Sequence, residues 1–133
     1  MFGEKIILGN AKCKVDTKGR ILLPKFTYSE KDDEKVFSSD DNGIILLNNI
    51  VCLKRRINEL EKNMSSESDE RLIKSLNDKL EKLYFSCISV SKVDSQRRLI
   101  IPVSTRMEYD INDSVILQGC KDHLKMFNSD ESY

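Results

Sequence analysis

Two short stretches of this sequence carry acidic and basic residues at the same spacing. VDTKGRILLP places Asp16 four residues before Arg20, and its near copy VDSQRRLIIP places Asp94 four residues before Arg98. An arginine held by a carboxylate can donate two hydrogen bonds to guanine, and neighbouring lysines can bind phosphates. The repeated spacing therefore predicts binding to a polyanion such as DNA, although the Asp-Arg pairs could also serve only to fix the turns.

Basic residues are concentrated around both copies, although the chain has a formal net charge of zero. Residues 10–28 carry five lysines or arginines against one aspartate, and residues 88–106 carry four against one. A polyanion responds to such local patches rather than to the overall charge. The candidate DNA-binding residues are Lys14, Lys18, Arg20, Lys92, Arg97 and Arg98, and the candidate supporting residues are Asp16, Gly19 and Asp94.

Enzymatic chemistry is not indicated. The sequence has no glycine-rich phosphate-binding motif and no G-x-S-x-G or H-E-x-x-H motif, and His123 is its one histidine. Asp16 and Asp94 could form a carboxylate pair, but each lies near an arginine that would keep it ionised. We therefore expect no catalysis, no cofactor and no small-molecule substrate.

Metal binding and membrane insertion are not indicated either. The four cysteines contain no C-x-x-C pair, so we expect reduced, mostly buried thiols, and we expect His123 in a turn between two strands. The apolar runs are four or five residues long, whereas a membrane span needs roughly 20. These features predict a cytoplasmic protein with no membrane partner and, because DNA is the expected ligand, nucleoid association.

Each copy of the decapeptide must lie between two strand-like segments. Asp16 can accept hydrogen bonds from the backbone that follows it, and Gly19 can adopt positive φ, so the DTKG stretch predicts either a hairpin or a sharp strand bend. Pro24 and Pro102, the two prolines of the chain, end the second apolar run of each copy. The same order then follows twice, so each repeat is predicted to be β-β-short helix or loop-β-β.

The segment between the repeats has helical periodicity. Apolar residues recur every three or four positions on both sides of the polar stretch NMSSESDE, in which Ser66 is a plausible helix N-cap and Asp69 holds the capping-box position. Two amphipathic helices joined by a short loop predict an antiparallel helical hairpin. Its apolar faces could pack on each other, on the β-strands or on another subunit.

The first motif, Asp16 to Pro24, resembles the signature of the MraZ proteins, which belong to the AbrB-like swapped-hairpin group. The opening MFGE, the second copy of the motif, the helical insert and the stretch VILQGCKDHLKMF add to this resemblance. It implies an α+β fold, namely a duplicated swapped-hairpin AbrB-like β-barrel with an inserted antiparallel helical hairpin. The expected single domain covers residues 1–133, with repeat 1 at about 10–48, the helical insert at about 49–85 and repeat 2 at about 86–128.

The resemblance also implies a function. MraZ-like proteins are expected to be sequence-specific transcriptional regulators, usually repressors, that bind repeats in the promoter of the bacterial division and cell wall gene cluster as ring-shaped homo-oligomers. By motif position, the resemblance implies DNA contacts from Lys18, Arg20 and Arg98, with Arg97 as a further candidate. The alternatives are regulation of the chain's own operon, an AbrB-type transition regulator or MazE-like antitoxin with a protein partner, and a structural oligomer without nucleic acid.

The second motif departs from the family pattern because Arg97 replaces its glycine. This turn must therefore avoid positive φ or bear some strain. We expect the first copy to read DNA and the second to serve more as architecture and as a phosphate clamp.

Overall fold

A computed structural model describes residues 6–40, 42 and 44–129. The described residues form an α+β fold, which confirms the predicted class. Its strands are β1 (Asn10–Lys14), β2 (Arg20–Leu22), β3 (Glu34–Ser39), β4 (Ile45–Asn49), β5 (Cys87–Lys92), β6 (Arg98–Ile100), β7 (Ser114–Gly119) and β8 (His123–Asn128). Its helices are α1 (Ile50–Ser66), α2 (Glu70–Ser86) and α3 (Val103–Glu108), and Lys25–Thr27 form a 3₁₀ turn.

The larger sheet joins strands from both repeats. It has six antiparallel strands in the order β1-β7-β8-β4-β3-β5. The first strand of each repeat pairs with the third strand of the other, because β1 pairs with β7 and β5 pairs with β3. The sheet is therefore arranged symmetrically about the β4-β8 pair, and the two repeats interleave.

The second strands of the repeats form a separate two-stranded sheet, which we call the ribbon. In the ribbon, Ile21 of β2 lies opposite Leu99 of β6, and both side chains are buried. The ribbon contacts both edge strands of the six-stranded sheet, since β2 contacts β1 and β6 contacts β5. Within the described residues, no ladder joins β1 to β5, so the sheet is open and the closed barrel implied by the resemblance is not observed.

The strands on either side of each motif turn do not pair with each other. β1 pairs with β7 while β2 pairs with β6, so the hairpin alternative is wrong and the sharp bend is observed. In the first bend, the Asp16 amide donates to the Arg20 carbonyl at 2.9 Å and the Gly19 amide donates to the Asp16 carbonyl at 2.9 Å. Local turn chemistry forms the bend, but pairing with the other repeat directs the strands that leave it.

One hydrophobic core includes side chains from both repeats. Burying an aliphatic or aromatic side chain of this size contributes about 1.5–3 kcal/mol, so the shared core stabilises the interleaved arrangement. The core consists of Cys13, Ile21, Leu23, Phe37, Ile45, Leu47, Val93, Leu99, Ile101, Ile111, Val115, Leu117, Leu124 and Met126.

The cysteines match the sequence prediction only in part. All four thiols are free, and burial raises the pKa of Cys13 in the core. The expectation that most of them are buried is wrong, because Cys52 and Cys120 are half-buried and Cys87 is exposed. Cys87 is the first residue of the edge strand β5 and directly follows α2.

The insert forms two helices that contact each other across a three-residue connection, residues 67–69. Asn49 caps α1 by accepting a hydrogen bond from the Val51 amide at 3.0 Å, and Asp69 caps α2 by accepting one from the Arg71 amide at 2.9 Å. The predicted N-cap Ser66 is wrong, because α1 continues through it. Among the described residues, no helix has the length and apolarity needed to cross a membrane.

Candidate nucleic-acid interface

The first turn, residues 16–20, is organised around one carboxylate. Asp16 Oδ1 accepts hydrogen bonds from the amides of Lys18 and Arg20, both at 2.9 Å, and Oδ2 accepts one from Arg20 Nε at 2.8 Å. These bonds fix the backbone and the guanidinium together. The terminal nitrogens of Arg20 have no partner among the described residues, so they remain available to a ligand.

The second turn, residues 94–98, repeats this arrangement. Asp94 Oδ1 accepts from the amides of Gln96 and Arg98, and Oδ2 accepts from Arg98 Nε at 2.8 Å. In both turns the arginine's backbone amide, and then its side chain, lowers the pKa of the aspartate below its ordinary value of 3.8. Both carboxylates are therefore ionised at neutral pH and suited to orienting an arginine rather than to proton transfer.

The ribbon places both arginines on one outward face. Arg20 lies opposite Ile100, and Leu22 lies opposite Arg98. Because alternate residues of a strand point to the same side, these four side chains face away from the core. The two arginines are diagonal neighbours, which corresponds to a separation of about 7–8 Å in an antiparallel pair. The outward face therefore carries two guanidinium groups with two exposed aliphatic side chains between them.

Each turn is also bonded to the strand of the other repeat. The Leu23 amide donates to the Arg97 carbonyl at 2.8 Å, and the Ile101 amide donates to the Gly19 carbonyl at 2.8 Å. The relative position of the two turns is thus set by backbone hydrogen bonds at both ends of the ribbon. Such a rigid frame can hold two side chains at a fixed spacing for a ligand.

The turns differ at their fourth residue. Gly19 has φ of +80°, and Arg97, which replaces the family glycine, has φ of +60°. Of the two possibilities predicted for the second turn, the structure shows the strained one, because left-handed backbone is uncommon for residues other than glycine. The side chain of Arg97 is nevertheless half-buried beside the ribbon.

Arg106 of α3 is a basic residue of this region that the motif analysis did not include. A Cβ at Gly19 would lie 2.6 Å from Arg106 Cζ, so the guanidinium packs directly against the first turn. Arg106 Nε also donates to the Ile101 carbonyl at 3.0 Å. The available sequence signal was the excess of basic residues at 88–106, but only the fold brings Arg106 to the turn of the other repeat.

The remaining predicted residues flank the turns. Lys14 ends β1 and Lys92 ends β5, each two residues before the aspartate of its turn, and both are exposed. Lys18 is exposed within the first turn itself. β1 and β5 are opposite edges of the six-stranded sheet, so each lysine extends the basic surface from a different turn.

The described residues contain no group of three or more His, Cys, Asp or Glu side chains that could hold a metal ion. His123 does not lie in a turn as predicted. It is the first residue of β8, half-buried, and its Nδ1 lies 2.8 Å from Asp122 Oδ1. The sequence CKDH did predict a turn, but this turn ends one residue earlier because His123 pairs with Asn48 of β4.

Comparison with known proteins adds one relative. The chain is 24% identical over 124 residues to the transcriptional regulator MraZ of Mycoplasmoides gallisepticum, a match that covers 92% of this chain and 82% of that protein. The chain is therefore similar to an MraZ transcriptional regulator over most of its length. A match of this extent includes both turns, so the family resemblance inferred from the two motifs is confirmed. No protein-family model matches the chain.

Proposed function

We propose that this chain is an MraZ-family transcriptional regulator that binds double-stranded promoter DNA through its two Asp-Arg turns. The name of its relative supports a role in transcription. The observation that carries DNA binding is the ribbon face, where Arg20 and Arg98 are each held through Nε by an aspartate, with their terminal nitrogens directed to no described protein group.

The chemistry of this face matches the DNA major groove. A two-stranded ribbon is narrow enough to enter the groove, and each arginine can donate two hydrogen bonds to O6 and N7 of guanine. Lys14, Lys18 and Lys92 would bind phosphates, and Arg97 and Arg106 would add positive charge beside the turns. Since lysine-phosphate contacts release counterions, the affinity should fall as the salt concentration rises.

Assembly of several subunits would strengthen these contacts. The α2-β5 region exposes apolar side chains, including Tyr84, Phe85, Ile88 and Val90, and Phe85 is 87% exposed. Burial of such side chains between subunits supports a ring-shaped homo-oligomer on promoter repeats, in which effective concentration converts weak contacts into useful affinity. We infer that the oligomer acts as a repressor of the division and cell wall gene cluster or of its own operon, in the cytoplasm on the nucleoid.

The fold within this proposal is the swapped-hairpin one. The exchanged pairing of β1 and β5 and the contacts of the ribbon with both edge strands support a barrel-like arrangement in one domain. In this arrangement the ribbon would pack across the gap between the edge strands β1 and β5, which no backbone hydrogen bonds join in the described residues.

Fluorescence anisotropy with a labelled fragment of the protein's own promoter tests this proposal. The double variant Arg20→Ala/Arg98→Ala should lose at least about 1–3 kcal/mol of binding free energy, which is the contribution of one guanine contact by Arg20. Arg71→Ala, on an exposed position of α2, is the matched control and should bind like the unmodified protein. Unchanged affinity and salt dependence in a folded double variant would contradict DNA binding by the ribbon face.

A further inference from the structure

A cavity of about 510 Å³ lies away from the two turns, between the N-terminal end of α1 and the six-stranded sheet. Cavities of several hundred cubic ångströms are typical of small-molecule sites. Its lining comes from β3, β4, β8 and α1 and from the segments before β1, β3 and β8, and it includes Lys35, Asn49, Cys52, Arg56, Glu59 and Asp122.

Lys35 supplies a buried positive charge to this cavity. The residue is 4% exposed, and its side chain lines the cavity. Burial lowers the pKa of Lys35, and the nearby Asp33 and Cys52 oppose that effect. Asp33 offsets the cost of burying this charge only in part, so a ligand anion in the cavity would add a favourable partner.

The N-terminal end of α1 points to the same kind of ligand. Asn49, Val51 and Cys52, at the start of this 17-residue helix, line the cavity, and the first turn of α1 contains no acidic residue. The helix macrodipole makes this end electropositive, and anions bind readily at such positions. Lys35 and the helix end therefore attract negative charge into one space.

Most acidic side chains of the lining are already engaged. Asp122 accepts from Arg56 at 3.3 Å and lies 2.8 Å from His123, while Asp33 accepts from the Glu30 amide at 2.9 Å. Glu59 has no such partner within the described residues and is exposed on α1. The lining nevertheless has four basic residues against three acidic ones, and the basic ones are Lys35, Arg55, Arg56 and Lys121.

We propose that this cavity binds a small organic anion whose phosphate or carboxylate group contacts Lys35 and the N-terminal end of α1. The volume leaves room for an organic body beside the anionic group. The site is separate from the ribbon face and makes the chain a receptor for a small molecule, which the proposed DNA-binding function does not include.

Thermal-shift and calorimetric titrations of the full chain test this site. Inorganic phosphate, glycerol phosphate and succinate are the probes, each added at constant ionic strength. At least one should bind saturably and raise Tm, since a ligand of the folded state stabilises it. Lys35→Met should weaken that binding by about tenfold or more, because a hydrogen bond to a charged group contributes at least that factor. Lys35→Gln provides a second variant if the methionine variant does not fold.

Two controls separate the cavity from other basic surfaces. Lys12→Met, on the exposed side of β1, should bind the probes like the unmodified protein. The double variant Arg20→Ala/Arg98→Ala should also retain binding, whereas loss in that variant would place the anion on the ribbon face and overturn the proposal. Equal binding by the Lys35 variants, or no saturable binding of any probe, would overturn it as well. Glycerol phosphate and succinate distinguish a phosphate ligand from a carboxylate ligand.

Discussion

The two Asp-Arg turns have the same hydrogen bonds and different backbone requirements. In each turn one carboxylate accepts two amides and an arginine Nε, with nearly equal distances. Gly19 in the first turn packs against Arg106, whereas Arg97 in the second bears positive φ with a full side chain. The second turn therefore keeps the hydrogen-bonded Asp-Arg pair of the motif, although arginine replaces the glycine that tolerates positive φ.

The largest expected effect concerns Gly19. Gly19→Val combines left-handed backbone strain with a Cβ placed against the Arg106 guanidinium, so we expect a loss of about 2–4 kcal/mol of folding free energy. Urea denaturation followed by circular dichroism measures this loss. Arg97→Val is the matched comparison. It should cost clearly less folding free energy, because the native arginine already bears backbone strain at this position. Equal costs at both positions would remove the distinction between the turns.

The next largest expected effect is a difference in DNA affinity between variants of the two turns. If the first turn reads bases and the second clamps phosphate, Arg20→Ala should cost about 1–3 kcal/mol and relax preference for the operator. Arg98→Ala should weaken binding to specific and non-specific fragments alike, and it should reduce the dependence of the affinity on salt concentration. Anisotropy titrations of both single variants on both fragments make this comparison. Identical profiles would show that the two turns contribute in the same way.

Relief of backbone strain in the second turn should give a smaller effect, namely an increase in the free energy of unfolding. Arg97→Gly removes a left-handed strain of about 1–2 kcal/mol and adds backbone entropy to the unfolded chain worth about 0.5–1 kcal/mol. We expect a net stabilisation of about 0.5–1 kcal/mol by urea denaturation. A destabilised variant would mean that the half-buried Arg97 side chain makes packing contacts that outweigh the strain.

The smallest expected effect is on the free energy of unfolding at acidic pH. The pKa of Asp16 and of Asp94 is lowered on folding, so each contributes stability above the ordinary value of 3.8, which is lost as the pH falls through the lower folded value. Asp16→Asn and Asp94→Asn should each make the loss of stability below that pH shallower. Denaturation midpoints measured from pH 2 to 6 test this, and an unchanged slope in either variant would show that its carboxylate does not couple to folding.

Local features of the molecule were predictable from the sequence, and long-range ones were not. The four-residue spacing of Asp16 and Arg20 predicted their pairing, because the turn between them is short. The exchange of strands depends on contacts between residues about a hundred positions apart, such as Lys14 and Ser114, for which turn chemistry gives no signal. The burial of Lys35 was missed for the same reason, since α1 and the neighbouring strands cover it only in the folded chain.

The exchange of strands also determines when each strand can pair during synthesis. β1 can complete its pairing only after β7 has been synthesised, about a hundred residues later along the chain. At translation rates of about 5–20 residues per second, the first strand waits roughly 5–20 seconds for its partner. During that interval the first repeat has an unpaired strand edge, and two nascent chains on neighbouring ribosomes could satisfy it by pairing with each other.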